Sequence, residues 1–185
     1  MTETIVAFGG NIGDVLAGFL SAREQLDRIK GLQILDSSCV YRSPPWDCPV
    51  HTKRSSESSP AGQPTGSVEQ PDYLNAITLL NTNMTAETLL QHLQTIEKEH
   101  GRIRAEERWG PRTLDLDLIA YNDTVMQTKR LTLPHPHMHE RMFVLQPLCD
   151  IRPNWRHPVL KQTARGLLKE LAASGIPLLE EKQIW

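Results

Sequence analysis

Apolar and polar positions change period several times along the chain, and each change marks an element. "TIVAFGG" (residues 4–10) is a short apolar run closed by glycines, the pattern of a strand entering a turn. Asn11, Gly13 and Asp14 supply turn chemistry, and Asp14 is placed to cap a helix running to about Ile29. Leu16, Phe19, Leu26 and Ile29 recur along it at roughly helical spacing. "LQILDSSCVYRS" (32–43) and "DYLNAITLLNT" (72–82) predict the next two strands. Thr85 caps a predicted helix over 86–99, with Leu89, Leu90, Leu93 and Ile96 on its inner side and Gly101 just past its end. "LDLDL" (114–118) alternates strictly and predicts a half-buried strand, "VMQTKRLTL" (125–133) predicts another, and 163–174 reads as helix. The order strand, helix, strand, strand, helix, strand is the ferredoxin-like pattern. It predicts an α+β fold, an antiparallel sheet with helices packed over one face, and a single domain spanning 1–185.

One stretch interrupts this economy. Residues 47–71 contain five Ser, four Pro and two Gly among 25 positions. A structureless segment longer than ~12–15 residues is uncommon inside a compact domain. It is expected to be a flexible loop insertion, with a lid over bound ligand as the competing idea. Composition otherwise narrows the function. Charged residues are 23% and the net charge is -2, which argues against a general nucleic-acid binder. No apolar run approaches ~20 residues, and the N-terminus lacks a basic leader, so neither a membrane span nor a signal peptide is expected. Cys39, Cys48 and Cys149 are scattered without a C-x-x-C pair, which fits reduced thiols in a cytoplasm.

Candidate chemistry gathers around the alternating strand. Asp115 and Asp117 share the face opposite the leucines, with Cα atoms roughly 7 Å apart at strand rise. Two carboxylates there repel by about 2 kcal/mol at an effective dielectric near 20. Either water screens them or a cation sits between them. Arg102, Arg104, Arg108 and Arg112 precede the strand, and His135, His137, His139 and Arg141 follow. Carboxylates able to hold a divalent cation, flanked by guanidinium groups, suit a polyphosphate. The arginines are interleaved with Glu97, Glu99, Glu106 and Glu107, so a salt-bridged surface is the plainer alternative. Trp109 among them is either a core plug or a platform over a base. "GGNIGD" matches neither G-x-x-x-x-G-K-[ST] nor G-x-G-x-x-G, so any nucleotide must be held by side chains and metal. The three histidines have no cysteine nearby to complete a structural zinc site, and a proline-spaced loop donating to an anion is the more natural reading.

The motifs "GGNIGD", "YRSPPW", "DYLNA", "GRIRAEERWGPRTLDLDLI" and "LPHPHMHERMFVLQPL" occur in the order seen in one family and cover the chain from 5 to about 153. The chain resembles the 6-hydroxymethyl-7,8-dihydropterin pyrophosphokinases of folate biosynthesis. That resemblance implies transfer of pyrophosphate from ATP to the hydroxymethyl group of the pterin, with AMP released. It implies two magnesium ions on Asp115 and Asp117, and phosphate-clamping arginines at Arg102 and Arg112. It further places Gln94, Glu97, Arg104, Trp109, Leu118, Arg130, Thr132, His135 and Arg141 around ATP. For the pterin it implies stacking by Tyr73 and Phe143, hydrogen bonding by Asn75, and a lining of Ser43, Pro44 and Trp46. Ser43 stands where threonine is common, and His137 where many members carry arginine. The 47–71 segment is longer than in compact members.

Two other readings differ in kind. A non-catalytic pterin- or nucleotide-binding protein of the same fold would not need both aspartates and both clamp arginines. A sheet-based RNA-binding module would be expected to show more than three Phe and three Tyr, and a basic excess. The expected partners are small-molecule substrates, with no nucleic acid or membrane, on a chain acting as a monomer.

Overall fold

The computed structural model describes residues 1–45, 71–101 and 111–185. The elements, in order, are β1 (Thr2–Gly10), α1 (Val15–Asp27), β2 (Leu32–Ser37), β3 (Val40–Ser43), β4 (Tyr73–Thr82), α2 (Ala86–Glu99) and β5 (Asp115–Tyr121). They continue with β6 (Met126–Gln127), β7 (Thr132–Leu133), a 3-10 turn at Met138–Glu140, α3 (Met142–Ile151), α4 (Ala164–Ala173) and β8 (Glu180–Gln183). The main sheet runs β5–β1–β4–β3–β8, with β2 also paired to β4, and its pairs among β1–β5 and β8 are all antiparallel.

Both helices expected from period and caps are present. Asp14 accepts from Ala17 N at 3.0 Å and opens α1, and Thr85 accepts from Thr88 N at 3.2 Å and opens α2. Val15, Phe19, Ala22 and Leu26 form the buried stripe of α1, and Leu89, Leu93 and Ile96 that of α2. They pack on Val6, Phe8, Ala76, Leu80, Leu116 and Leu118 of the sheet.

Three features depart from the sequence reading. The sheet is covered on both faces rather than one. A second core joins Ile5, Ile77, Leu79 and Ile119 to Val144, Leu145 and Leu148 of α3 and to Ala164 and Leu167 of α4. Burial on both faces is why β1 and β4 read as continuous apolar runs rather than alternating ones. The strand expected over 32–43 is broken into β2 and β3, both lying along β4. The strand expected over 125–133 is a small hairpin, β6 with β7.

The alternation in β5 now has a structural cause. Asp115, Asp117 and Ile119 project to the face that α3 and α4 cover, but the helices reach only Ile119. The face changes from carboxylate to apolar where helical cover begins.

Candidate active site

One transverse row across four strands makes the floor of the site. Asp115 of β5 and Asn75 of β4 both stand opposite Gly9 of β1, and Tyr41 of β3 stands opposite Asn75. Cross-strand partners share a face. Asp115 and Asn75 therefore look at each other over two strand spacings, roughly 10 Å, with only a glycine between them. One row along, Asp117 stands opposite Ala7; at the other end Ser43 stands opposite Tyr73. A cavity of about 440 Å³ lies over this floor. Its walls include Arg112 beside β5, His135 and His137 from the loop after β7, and Arg141, Phe143 and Val144 at the start of α3.

The glycine-rich turn after β1 builds the Arg112 wall. Asn11 N and Ile12 N donate to the Arg112 carbonyl at 2.8 and 3.1 Å, and Arg112 N donates back to Asn11 Oδ1 at 2.8 Å. The chain can come this close because position 10 has no side chain: a Cβ on Gly10 would lie 2.7 Å from the Thr113 carbonyl oxygen. The guanidinium so placed forms an ion pair with Asp115. Burial disfavours the charge on Arg112, but Asp115, together with Asp117 and Tyr73, outweighs it and raises its pKa. Arg141 is buried, 8% exposed, and burial lowers its pKa against the pull of Asp117 and Asp115. It also lies over the Phe143 ring, 5.6 Å from the centroid.

His135 is neutral at physiological pH. Burial, then the nearby Arg141 and His137, push its pKa down to about 4. Its main-chain N–H donates to the Ile119 carbonyl at 2.8 Å, which ties the loop to β5. At the far end of the floor, Asn75 is 5% exposed and its Nδ2 donates to Ser43 Oγ at 2.9 Å. Burial raises the Tyr73 pKa, with Arg112 opposing and Asp115 adding. The cavity thus has an ionic end and a neutral polar and aromatic end. Two carboxylates on an open face suit Mg²⁺, which takes few protein carboxylates and leaves positions to water and phosphate. No group of three or more His, Cys, Asp or Glu able to hold a metal occurs among the described residues.

The sequence matches the family model of 7,8-dihydro-6-hydroxymethylpterin-pyrophosphokinase (HPPK) over residues 5–153. The chain belongs to the HPPK family. It is 38% identical to the 2-amino-4-hydroxy-6-hydroxymethyldihydropteridine pyrophosphokinase of Synechocystis sp. over 172 residues, 93% of this chain and 77% of that protein. It is 36% identical to the enzyme of the same name from Methylorubrum extorquens, covering 97% of this chain and 100% of that protein. A crystal structure of Plasmodium falciparum HPPK-DHPS with SDX-DHP matches with a TM-score of 0.64 at 15% identity, over 94% of this chain. That likeness concerns the fold, and this chain spans only 44% of the Plasmodium chain.

Of the residues expected from resemblance to the HPPK family, Arg112, Asp115, Asp117, His135, Arg141, Ser43, Pro44, Tyr73, Asn75 and Phe143 line the cavity. Gln94, Glu97, Leu118, Arg130 and Thr132 do not. Gln94 is half-buried on α2, Arg130 is exposed between β6 and β7, and Thr132 is on β7. Glu97 is 2% exposed and accepts from Leu116 N at 2.8 Å, fixing the strand between the two aspartates. The Leu118 side chain belongs to the core under α1 and α2. Arg102, Arg104, Trp109, Trp46 and nearly all of 47–71 lie outside the described residues. Ala7, Phe8, Gly9, Pro45 and Val144 also line the cavity and were not anticipated. Only Gly9 carried a signal, since a glycine inside a strand pattern often marks close approach of a ligand or backbone.

Proposed function

We infer that this chain transfers pyrophosphate from ATP to 6-hydroxymethyl-7,8-dihydropterin, giving AMP and the pterin pyrophosphate. The observation that carries the reading is the row Asp115–Gly9–Asn75. A phosphate-and-metal end and a heterocycle end face one another on one floor, and no side chain stands between them.

Asp115 and Asp117 would hold two Mg²⁺ together with the triphosphate. Bound there, Mg²⁺ would neutralise phosphate charge and orient the displacement. Arg112 and Arg141 hold phosphate oxygens as the negative charge is redistributed. Neutral His135 offers a ring N–H to the same oxygens without adding charge. Asn75, oriented by Ser43, reads the polar edge of the pterin, and Tyr73 with Phe143 covers its faces. The hydroxymethyl oxygen forms a bond to the β-phosphorus. The bond from that phosphorus to the oxygen bridging the α-phosphate breaks, AMP leaves with the electron pair, and the hydroxyl proton passes to solvent water.

The whole chain is read as one pyrophosphokinase domain carrying the 47–71 insertion, with Arg102, Arg104, Trp109 and Trp46 completing the two ends. It is proposed to act as a monomer. Among the described residues no helix is long and apolar enough to cross a membrane, and Cys149 is a free thiol. A cytoplasmic location is proposed on the sequence pattern, three scattered cysteines with no C-x-x-C pair.

Incubation with ATP, Mg²⁺ and the pterin, with chromatographic identification of the nucleotide product, tests this. Pterin-dependent AMP is expected. ADP, or AMP formed equally without pterin, would overturn the reading.

A further inference from the structure

The family match ends at residue 153, yet the chain beyond it reaches back to the strand that carries Ser43. Gln146 of α3 holds Leu179 on both sides, donating to its carbonyl at 3.1 Å and accepting from its N–H at 2.7 Å. β8 then pairs with β3, Arg42 opposite Glu180 and Val40 opposite Gln183. Trp185 ends this segment beneath the sheet. Its ring packs against Phe8 and Phe19, with centroids 5.0 and 5.4 Å away, and Arg23 lies 5.5 Å from its centroid. Its Nε1 donates to the Ser38 carbonyl at 2.9 Å.

Ser38 is where the phase of β3 is decided. Against β4 the pairing runs Leu32–Thr82 and Ile34–Leu80, then Asp36–Leu79 and Ser37–Thr78, then Tyr41–Asn75 and Ser43–Tyr73. One extra residue enters at Leu35 and a second at Ser38–Cys39. A single inserted residue reverses the face taken by every side chain that follows. Without the second insertion Tyr41 would stand opposite Leu74, on the side of α1 and α2, and Ser43 would leave the cavity. The bulge is held by Ser38 itself. Its N–H donates to the Ile77 carbonyl at 2.9 Å, and its hydroxyl accepts from Ile77 N at 2.9 Å. Because the hydroxyl takes the Ile77 N–H, the Ser38 carbonyl turns instead to the indole of Trp185.

We propose that Trp185 is a positioning residue for the pterin end of the cavity, acting from the opposite face of the sheet through the Ser38 bulge. The proposal rests on the pterin reading of that end. Pinning the bulge keeps Ser43 Oγ where it receives the Asn75 amide, and so sets the orientation of Asn75 toward its ligand. The aspartate end lies on β5, across β1 and β4 from the bulge, so the effect is selective for one substrate.

Trp185→Phe keeps a ring against Phe8 and removes the donor. Calorimetry is done on protein saturated with a non-hydrolysable ATP analogue and Mg²⁺, titrated with the pterin, and separately with the analogue alone. Pterin affinity is expected to fall roughly fivefold, the equivalent of about 1 kcal/mol for one hydrogen bond. Analogue affinity and melting temperature stay close to wild type. Ser38→Ala, which releases the Ile77 amide from the same bulge, gives the same selective loss. Amide exchange at Ile77 supplies a ligand-free readout and is expected to quicken in Trp185→Phe. Unchanged pterin affinity, unchanged Ile77 exchange, or equal losses for both ligands would overturn the proposal. Wild-type protein that binds the analogue but no pterin would instead overturn the reading of the pocket, whatever Ile77 exchange does.

Discussion

Gly9 and Gly10 are neighbours in one strand, and the structure gives them opposite duties. A Cβ on Gly9 would meet Asp115 Cβ at 3.8 Å and Asn75 Oδ1 at 3.9 Å, ordinary contacts, and its backbone is outside the left-handed region. Gly9→Ala is therefore expected to fold and to gain about 0.4–1 kcal/mol through reduced freedom of the unfolded chain. For a chain of this size that raises the melting temperature by about 1–4 °C. The new methyl stands in the gap between the ionic and heterocycle ends, where the hydroxymethyl oxygen must approach phosphorus. Misplacement of reacting groups by about 1 Å costs on the order of 10²-fold in rate. The assay is pterin-dependent AMP release beside a thermal melt. Gly10→Ala behaves differently, because its Cβ would lie 2.7 Å from the Thr113 carbonyl oxygen and 3.0 Å from Val15 Cγ1. It is expected to lose about 1–3 kcal/mol of stability, and activity with it as Arg112 is displaced. A Gly9→Ala protein that turns over at the wild-type rate would show that the reaction does not cross this gap. One that unfolds would show that the floor is not open.

Asp117→Asn is expected to lower the Mg²⁺-dependent rate by roughly 10²-fold or more, the scale of losing one group that stabilises developing charge. Its melt should stay near wild type, because the change removes both repulsion by Asp115 and attraction to Arg141; a clear loss of stability would assign Asp117 a structural role. Phe143→Ala removes one face of the proposed pterin clamp and should weaken pterin binding about tenfold or more in calorimetry, leaving ATP-analogue binding largely intact; equal losses would contradict the division of the cavity. His135 titrates near pH 4 in the fold and near 6.5 when unfolded, so the unfolded chain binds the extra proton between those values. Stability is expected to fall as pH drops from about 6.5 to 4, by about 2–3 kcal/mol from this residue. His135→Gln should flatten that slope in denaturant melts, and an unchanged slope would remove His135 as its source.

Much of this was readable from local pattern, and the exceptions have physical causes. Asp14 and Thr85 are caps that satisfy helix N–H groups close by in sequence, so both helices could be placed from the residues alone. The aspartate face was legible because alternation survives wherever one face stays open. α3 was hidden: Pro147 lies inside it, and no side chain caps its start. Missing α3 meant missing the cover on the second face, and with it the reason β1 and β4 carry apolar residues on both faces. It also left Phe143 and Arg141 as names from a family rather than as the first turn of a helix over the floor.

The pterin end was harder for a further reason, which bears on how the site is held. Asp115 and Asp117 follow from one strand's own alternation, but the facing of Ser43 depends on two inserted residues whose effects on phase cancel. A pattern of period two read straight through 32–43 yields the correct face for Ser43 while hiding both bulges. Nothing in "LDSSCVY" marks the second bulge, because the partners of Ser38 there are Ile77 and Trp185, 39 and 147 residues away. The two aspartates of the ionic end are thus specified by residues within a few positions of one another. The polar end is specified by long-range contacts among Ser38, Ile77 and Trp185, and so is the end where a distant substitution should change one substrate's affinity and spare the other's.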